Sequence, residues 1–216
     1  MSEGFDLSER RLYLCTPDRP DLAAFLDQCI AGGVDVVQLR DKGLEARPLL
    51  ARAKVAAAVC RDLGVPFVLN DRPDLALEAA ADGVHVGQDD APVSLARRIL
   101  GPEAIVGLST HSPADLEGAA GQEVTYISAG PVEATPTKPG RVGTGLDYAT
   151  RASARSNVPV FVTGGVTPEK VGALTAAGVR HFVVVRYLTQ ARDARSAAQA
   201  LRAAIDSALL STPAPS

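Results

Sequence analysis

Short apolar runs recur along the chain and are separated by longer segments with a different hydrophobic period. Each run is mostly apolar and rich in β-branched residues, a pattern typical of strands that are buried on both faces of a parallel sheet. The predicted strands are residues 11–16, 36–42, 66–71, 83–88, 105–110, 126–132, 158–165 and 180–186.

The segments between these runs are rich in Ala, Leu and Arg and have the apolar spacing of helices, as in Leu22, Phe25, Leu26 and Cys29. Capping side chains or a first-turn proline predict where several helices begin. These predicted starts are Asp21, Ser94, Ser112-Pro113 and Thr167-Pro168. Glycines such as Gly64 and Gly178 indicate helix ends.

Eight strand-then-helix units in 216 residues predict an α/β fold, a single-domain (β/α)8 TIM barrel. A doubly wound open sheet is the alternative, but it would usually need fewer strands, and no GxGxxG follows the first strand. The predicted barrel covers residues 11–210. We expect a flexible leader over 1–10 and a disordered tail over 211–216, which reads STPAPS.

Composition narrows the class of protein. Hydrophobic residues make up 46% of the chain and the net charge is −3, without a block of like charge, which argues against nucleic acid or a membrane as partner. The chain has no apolar run of about 20 residues and no apolar stretch near Met1, so we expect a cytoplasmic protein. Cys15, Cys29 and Cys60 fall within apolar runs, as expected of buried thiols in a reducing compartment.

Polar side chains collect where the predicted strands end, and in a barrel these ends form the rim that carries the active site. They are Arg40, Lys42, Asn70, Asp71, Asp89, Asp90, Ser109, Thr110, His111, Thr135, Thr137, Lys138, Gly164, Gly165 and Arg186. No comparable collection occurs at the other mouth. This concentration at one rim is the main argument for an enzyme.

The types of these side chains indicate anion and cation binding. Gln38, Arg40 and Lys42 alternate along a strand end and could hold a diphosphate, although a solvated strand end is the alternative. Asp71 and one of Asp89 and Asp90 follow adjacent strands and suit Mg²⁺, which takes oxygen ligands. Spacing does not decide between the last two. The competing interpretation is that the aspartates cap helices, but Asp74 and Ser94 are better placed as caps.

Two further segments suit phosphate. Thr135, Pro136, Thr137 and Lys138 offer two hydroxyls and a cation after the sixth strand. The Gly164-Gly165 turn into a helix offers backbone amides, although glycine also serves plain geometry. His85 is expected to be a satisfied interior side chain, His181 to lie at the wrong end of the barrel, and His111 to have a minor role in binding at most.

With these residues in place, the chain resembles the thiamine-phosphate synthase (thiamine-phosphate pyrophosphorylase) family from about Arg11 to Leu210. The matching segments are QLRDK at 38–42, ND at 70–71, GVHVGQDD at 83–90, GLSTH at 107–111, TPTK at 135–138 and GG at 164–165. The resemblance implies that 4-amino-2-methyl-5-(diphosphooxymethyl)pyrimidine is joined to 4-methyl-5-(2-phosphooxyethyl)thiazole, or its carboxylated form. Thiamine phosphate and pyrophosphate would be the products, formed by Mg²⁺-assisted dissociation to a pyrimidine carbocation.

The resemblance also implies roles for single residues. The QLRDK segment (Gln38, Leu39, Arg40, Asp41, Lys42) and Asn70 would bind the pyrimidine diphosphate, together with Ser109 and Lys138. Asp71 and Asp90 would bind one Mg²⁺. The thiazole phosphate site would comprise Thr135, Pro136, Thr137, Gly165, Val185 and Arg186. The family usually has an apolar residue followed by Ser at the last two positions, so Arg186 is a departure from its pattern. Arg40, Lys42 and Lys138 are the predicted catalytic residues.

Two rival functions remain at this stage. One is a thiazole tautomerase-like isomerase, whose relatives carry a catalytic His beside the sixth-strand loop, whereas Pro131 follows Gly130 here and QLRDK is intact. The other is a noncatalytic barrel that binds a phosphate ligand, which would not need two carboxylates for a metal. The sequence leaves open whether the chain forms a homo-oligomer.

Overall fold

The structure, a computed structural model, describes residues 5–134 and 142–212. Eight parallel strands form a closed barrel in which each strand pairs with the next and β8 pairs with β1. The strands are β1 Leu12–Thr16, β2 Val36–Leu39, β3 Phe67–Asn70, β4 Gly83–Val86, β5 Ile105–Thr110, β6 Tyr126–Ala129, β7 Val160–Thr163 and β8 His181–Val184. The prediction of a single-domain (β/α)8 barrel is confirmed.

The described residues form nine α-helices, one more than the eight units of the prediction. They are α1 Leu22–Ala31, α2 Ala46–Asp62, α3 Pro73–Glu78, α4 Val93–Leu100, α5 Pro113–Ala119, α6 Gly145–Arg155, α7 Pro168–Ala176, α8 Arg186–Thr189 and α9 Ala194–Ser211. The extra element is α8, a single turn that follows β8. The sequence predicted that Arg186 ends the eighth strand. In the structure, β8 ends at Val184 and Arg186 begins the short helix α8.

Alternation along each strand divides the apolar residues into two clusters. In β1, Leu12 and Leu14 face outward and pack in the core between the barrel and its helices. Tyr13 and Cys15 face inward and join a smaller cluster inside the barrel. Strands buried on both faces explain why the apolar runs of the sequence are nearly continuous.

The leader predicted over residues 1–10 is packed in its described part. Residues Leu7–Glu9 form a 3-10 helix, and the Asp6 carboxylate accepts a hydrogen bond from the backbone N–H of Ser8 at 2.8 Å. Leu7 is 3% exposed and belongs to the cluster inside the barrel. This apolar side chain packs with the residues inside the barrel, and the flexibility expected of residues 1–10 stays a prediction. At the other end, α9 extends to Ser211, the first residue of the predicted tail.

Helix starts were predicted with mixed success. Ser112 caps α5, where its hydroxyl accepts from the N–H of Asp115, and Thr167 occupies the cap position of α7. Ser94, by contrast, lies inside α4, which begins after Pro92. No described helix is both long and apolar enough to cross a membrane.

Candidate active site

A cavity of about 290 Å³ opens at the carboxyl end of the barrel, where the sequence placed the functional rim. Its walls come from side chains and turns of nearly every strand end. The predicted site residues that line it are Gln38, Arg40, Asn70, Ser109, Gly165, Val185 and Arg186. Parallel strands deliver all of their carboxyl ends to this one face, which is why residues far apart in sequence meet here.

Some side chains at the end of β2 line the cavity, and others pack in the core or stabilise the loop that follows. Gln38 is 5% exposed at the cavity floor and Arg40 lines the wall. Leu39 is fully buried in the core outside the barrel, so its side chain does not face the cavity. The Asp41 carboxylate accepts from the backbone N–H groups of Asp18 (3.2 Å) and Gly43 (2.9 Å) and so holds the loop together.

Two carboxylates from neighbouring strand ends converge on one ammonium group. Lys42 Nζ lies 2.8 Å from Oδ2 of Asp71 and 3.9 Å from Oδ1 of Asp90. Burial and the neighbouring Asp90 raise the pKa of the Asp71 carboxyl, and the hydrogen bond from Lys42 partly offsets this. Among residues 5–134 and 142–212, no group of three or more His, Cys, Asp or Glu side chains could hold a metal ion. Two carboxylate ligands are nevertheless enough for a Mg²⁺ that keeps waters and substrate oxygens.

The backbone around these aspartates explains their placement. Asp71 has φ +63°, a left-handed conformation that Asp and Asn tolerate better than most residues, and its N–H donates to the carbonyl of His85 at 2.8 Å. Asp90 Oδ2 accepts from the N–H of Gly87 at 2.9 Å. Neither aspartate caps a helix, since Arg72 and Pro92 occupy the cap positions of α3 and α4. The capping interpretation is therefore wrong, as is the assignment of Asp74 as a cap.

A chain of buried polar side chains crosses the cavity floor. Gln38 Nε2 donates to the Tyr13 hydroxyl at 3.1 Å, which lies 2.8 Å from the Tyr126 hydroxyl. The Tyr126 hydroxyl lies 2.9 Å from His85 Nδ1, and His85 Nε2 lies 2.9 Å from Ser109 Oγ. His85 is thus a hydrogen-bonded interior side chain, as expected. Neither tyrosine was among the site residues predicted from sequence, where the only signal of each was an inward position on a strand.

The other wall of the cavity is a glycine turn after β7. Gly164 and Gly165 have φ of +100° and +78°, so side chains are disfavoured at both positions. A Cβ atom on Gly165 would lie 2.5 Å from a carboxylate oxygen of Glu133, whose two oxygens each lie 2.6 Å from Lys170 Nζ. Glu133 therefore sits against the turn, a neighbour that the sequence analysis did not include.

Arg186 lines the cavity from the start of α8 and is exposed. In the described part of the chain no carboxylate is within ion-pair distance of its guanidinium. Asp193, the partner considered from sequence, instead caps α9 and accepts from the N–H (2.9 Å) and hydroxyl (2.7 Å) of Ser196. Thr135, Pro136, Thr137 and Lys138 lie outside the described residues, so their roles stay predictions.

The remaining histidines occupy the places expected of them. His111 is near the rim, and its Nδ1 donates to the carbonyl of Gly130. His181 lies at the amino end of the barrel, where burial lowers its pKa to about 4. Within residues 5–134 and 142–212, neither is arranged with a nucleophile and a carboxylate as in a hydrolytic triad.

Fold and site together define the class of the protein: a (β/α)8 barrel enzyme whose carboxyl-end cavity is lined by two arginines and a glycine turn, with a pair of aspartates on the loops after β3 and β4. A family model described as thiamine monophosphate synthase matches residues 12–188. The chain belongs to this family. It is a transferase of the thiamine-phosphate synthase type.

Individual relatives agree with this assignment. The thiamine-phosphate synthase of Mycobacterium sp. (strain JLS) is 44% identical over 215 residues, covering 94% of this chain and 95% of that protein. The thiamine-phosphate synthase of Thermobifida fusca (strain YX) is 48% identical over 202 residues, with 91% and 92% covered. A solved structure, the thiamine phosphate pyrophosphorylase from Pyrococcus furiosus, superposes with a TM-score of 0.83 at 29% identity, covering 92% of this chain and 96% of that one.

Proposed function

We propose that the enzyme joins the aminopyrimidine diphosphate to the thiazole phosphate by dissociation of the pyrimidine–diphosphate bond. With the carboxylated form of the thiazole phosphate, the carboxyl group would also leave as CO2, and the carbon that it leaves would take up a proton from water. The observation that carries this proposal is the position of Lys42 between Asp71 and Asp90 beside the cavity. A cation already lies between two carboxylates there, and these residues come from the loops that follow β2, β3 and β4. An arrangement of this kind suits the binding of a metal–diphosphate complex.

The donor set fits magnesium. Asp71 and Asp90 supply hard oxygen ligands, and burial together with the neighbouring Asp90 raises the pKa of the Asp71 carboxyl, a cost of negative charge that a divalent ion would offset. Bound between them, Mg²⁺ would stabilise negative charge on the diphosphate. The protein's own cations would act in the same way, since Arg40 at the cavity wall and Lys42 at the rim can bind diphosphate oxygens.

Departure of pyrophosphate leaves a pyrimidine carbocation, which the electron-donating amino group of the ring stabilises. The buried floor at Gln38 and Ser109 would orient this ring and keep water away from it. The thiazole nitrogen then attacks with its lone pair. No proton has to be removed from either substrate, and this is consistent with a site that lacks an acid–base dyad in its described part.

The thiazole phosphate would bind at the opposite wall. The Gly164-Gly165 turn can present backbone amides to an anion, and Arg186 adds a cation that no described carboxylate pairs. Lys138 and the hydroxyls of Thr135 and Thr137 are proposed to complete the two anion sites from the loop after β6.

The direct test is to incubate purified protein with both substrates and Mg²⁺ and to measure pyrophosphate and thiamine phosphate. We expect both products in equal amounts, and neither when one substrate is omitted. Conversion of the thiazole substrate without the pyrimidine would instead support a tautomerase-like isomerase. Ligand binding without any conversion would support a noncatalytic barrel.

A further inference from the structure

A series of hydrogen bonds links the buried polar side chains under the cavity. The number of protons on each group determines which group donates and which accepts. Gln38 Nε2 donates to the Tyr13 hydroxyl at 3.1 Å, and the Gln38 carbonyl oxygen accepts from the Cys15 thiol at 2.9 Å. A tyrosine hydroxyl has a single proton. Gln38 Nε2 is a donor and cannot accept the Tyr13 proton, so among the contacts described for this hydroxyl the proton has its acceptor in the Tyr126 oxygen, 2.8 Å away.

The same reasoning continues to the histidine. Tyr126 accepts from Tyr13, so its proton goes to Nδ1 of His85, 2.9 Å away. In a neutral imidazole one nitrogen accepts while the other carries the proton. His85 therefore bears its proton on Nε2 and donates it to Ser109 Oγ at 2.9 Å.

The chain ends in a hydroxyl with a defined orientation. Ser109 Oγ accepts from the Nε2–H of His85 at 2.9 Å, so its own proton is left for a group in the cavity that it lines. The Ser128 hydroxyl lies 3.5 Å from Ser109 Oγ, at the long limit of a hydrogen bond. The second amide proton of Gln38, at the other end of the chain, is likewise left for the cavity.

The packing around Tyr13 and Tyr126 holds their hydroxyl groups in place and brings Tyr126 against His85. Tyr126 is completely buried and Tyr13 is 2% exposed, and Phe161 packs edge-on against both rings at 5.3 Å. Gly107 provides the space in which Tyr126 meets His85, because a Cβ atom there would lie 2.5 Å from His85 Nδ1 and would also overlap the Tyr126 hydroxyl. Burial raises the pKa of both tyrosines, so both hydroxyls keep their protons and can act as donors.

We propose that Tyr13 and Tyr126 are positioning residues that hold His85 in its Nε2–H form and thereby aim the Ser109 and Gln38 protons at ring nitrogens of the aminopyrimidine. The inference rests on the proposed function, because it names how that substrate's ring is recognised. Neither tyrosine needs to touch the substrate. The tyrosines determine which groups of the cavity floor donate hydrogen bonds to the ring, whereas the rim cations and aspartates would bind the diphosphate.

The first readout needs no substrate. In the ligand-free protein, 15N NMR should show His85 protonated at Nε2. Tyr126→Phe keeps the ring but removes the donor to Nδ1, so we expect both tautomers of His85 to be populated. Tyr13→Phe keeps the Tyr126–His85 contact but removes the donor that directs the Tyr126 proton to Nδ1, so it should shift the tautomer of His85 in the same direction and to a smaller extent. A proton on Nδ1 in the unmodified protein would overturn the proposal, even if Tyr126→Phe did not fold.

The second readout is binding, measured by calorimetry with Mg²⁺ and without the thiazole substrate. Tyr126→Phe should weaken binding of the pyrimidine diphosphate about tenfold, the scale of one well-placed buried hydrogen bond. Inorganic pyrophosphate has no ring and would bind at the rim, so its affinity should stay unchanged. Equal losses for the two ligands, or unchanged binding of both, would overturn the proposal.

The matched control is Phe161→Leu, which disturbs the packing of both tyrosine rings but removes no polar atom. We expect it to leave the His85 tautomer and the affinity ratio of the two ligands unchanged. A Phe161→Leu protein that behaved like Tyr126→Phe would show that ring packing, and not the hydroxyl chain, orients the floor. Failure of the proposed reaction itself would be seen separately, as absence of pyrophosphate formation by the unmodified enzyme.

Discussion

Lys42 and Asp71 form an ion pair across the loops that follow two neighbouring strands, with 2.8 Å between Nζ and Oδ2. The second carboxylate, Asp90, lies 3.9 Å from the same ammonium. A metal ion bound by the two aspartates would take over the neutralising role of Lys42. The lysine would then be available to the diphosphate, so one rearrangement would serve both metal and substrate.

The first prediction concerns the metal. Chelation with EDTA should abolish turnover and added Mg²⁺ should restore it, because under the proposed function the ion would stabilise charge on the leaving group. Asp71→Asn and Asp90→Asn should each lower kcat/KM on the order of a hundredfold or more. Asp89→Asn is the matched control, because this neighbouring residue is exposed and its substitution should leave kcat/KM nearly unchanged. Full activity in excess EDTA would contradict the metal site.

The second prediction concerns stability without metal. The pKa of Asp71 is raised in the folded protein, so its contribution to stability is fully present below its unfolded pKa and is lost as the pH rises through its folded pKa. Asp71→Asn removes the carboxyl whose ionisation lowers the stability. Asn also tolerates the left-handed backbone at this position, where φ is +63°. In EDTA, the variant should unfold at a higher temperature than the unmodified protein at about pH 7, and the gain should shrink toward about pH 4.

Asp74 offers the opposite control for that measurement. A hydrogen bond from Arg72 lowers the pKa of the Asp74 carboxyl, so its contribution is present above its unfolded pKa and is lost as the pH falls. Asp74→Asn should therefore show its loss of stability mainly near neutral pH. A destabilised Asp71→Asn protein at neutral pH would show that the Lys42 ion pair outweighs the burial of charge.

The third prediction concerns Lys138. If its ammonium meets the departing diphosphate, charge develops there as the bond breaks, and Lys138→Ala should lower kcat. Steady-state kinetics with each substrate varied in turn would measure this. Lys54→Ala, which removes an exposed lysine paired with Glu78 on the outer helices, is the control. An effect confined to the KM of the thiazole phosphate would assign Lys138 to the other substrate.

The fourth prediction concerns Arg186, where the chain departs from the family pattern. A charge-assisted hydrogen bond is worth roughly 1.5–3 kcal/mol, so Arg186→Ser should raise the KM of the thiazole phosphate about 10- to 100-fold. The KM of the pyrimidine diphosphate should change little. Arg195→Ser, an exposed arginine in the first turn of α9, controls for loss of surface charge. Unchanged constants for both substrates would place the guanidinium outside the site.

The strands could be predicted from sequence because burial on both faces leaves a local signature. Residues 105–110 were predicted with the observed bounds of β5, whereas the predicted strands 36–42 and 158–165 continue past the ends of β2 and β7. The errors lie mostly at the carboxyl ends. There the chain leaves the sheet to present side chains such as Arg40, and local pattern does not show where strand pairing stops.

The sequence by itself determined the barrel, the rim and the types of group that the rim carries, because hydrophobic period and strand-end position are local properties of the chain. Only the tertiary structure decided which groups meet. Closure of the barrel brings Lys42 to Asp71, and the register of the inward-facing residues connects Tyr13 to Tyr126 and His85. These contacts join residues that are 29 to 113 positions apart, and no local pattern encodes them.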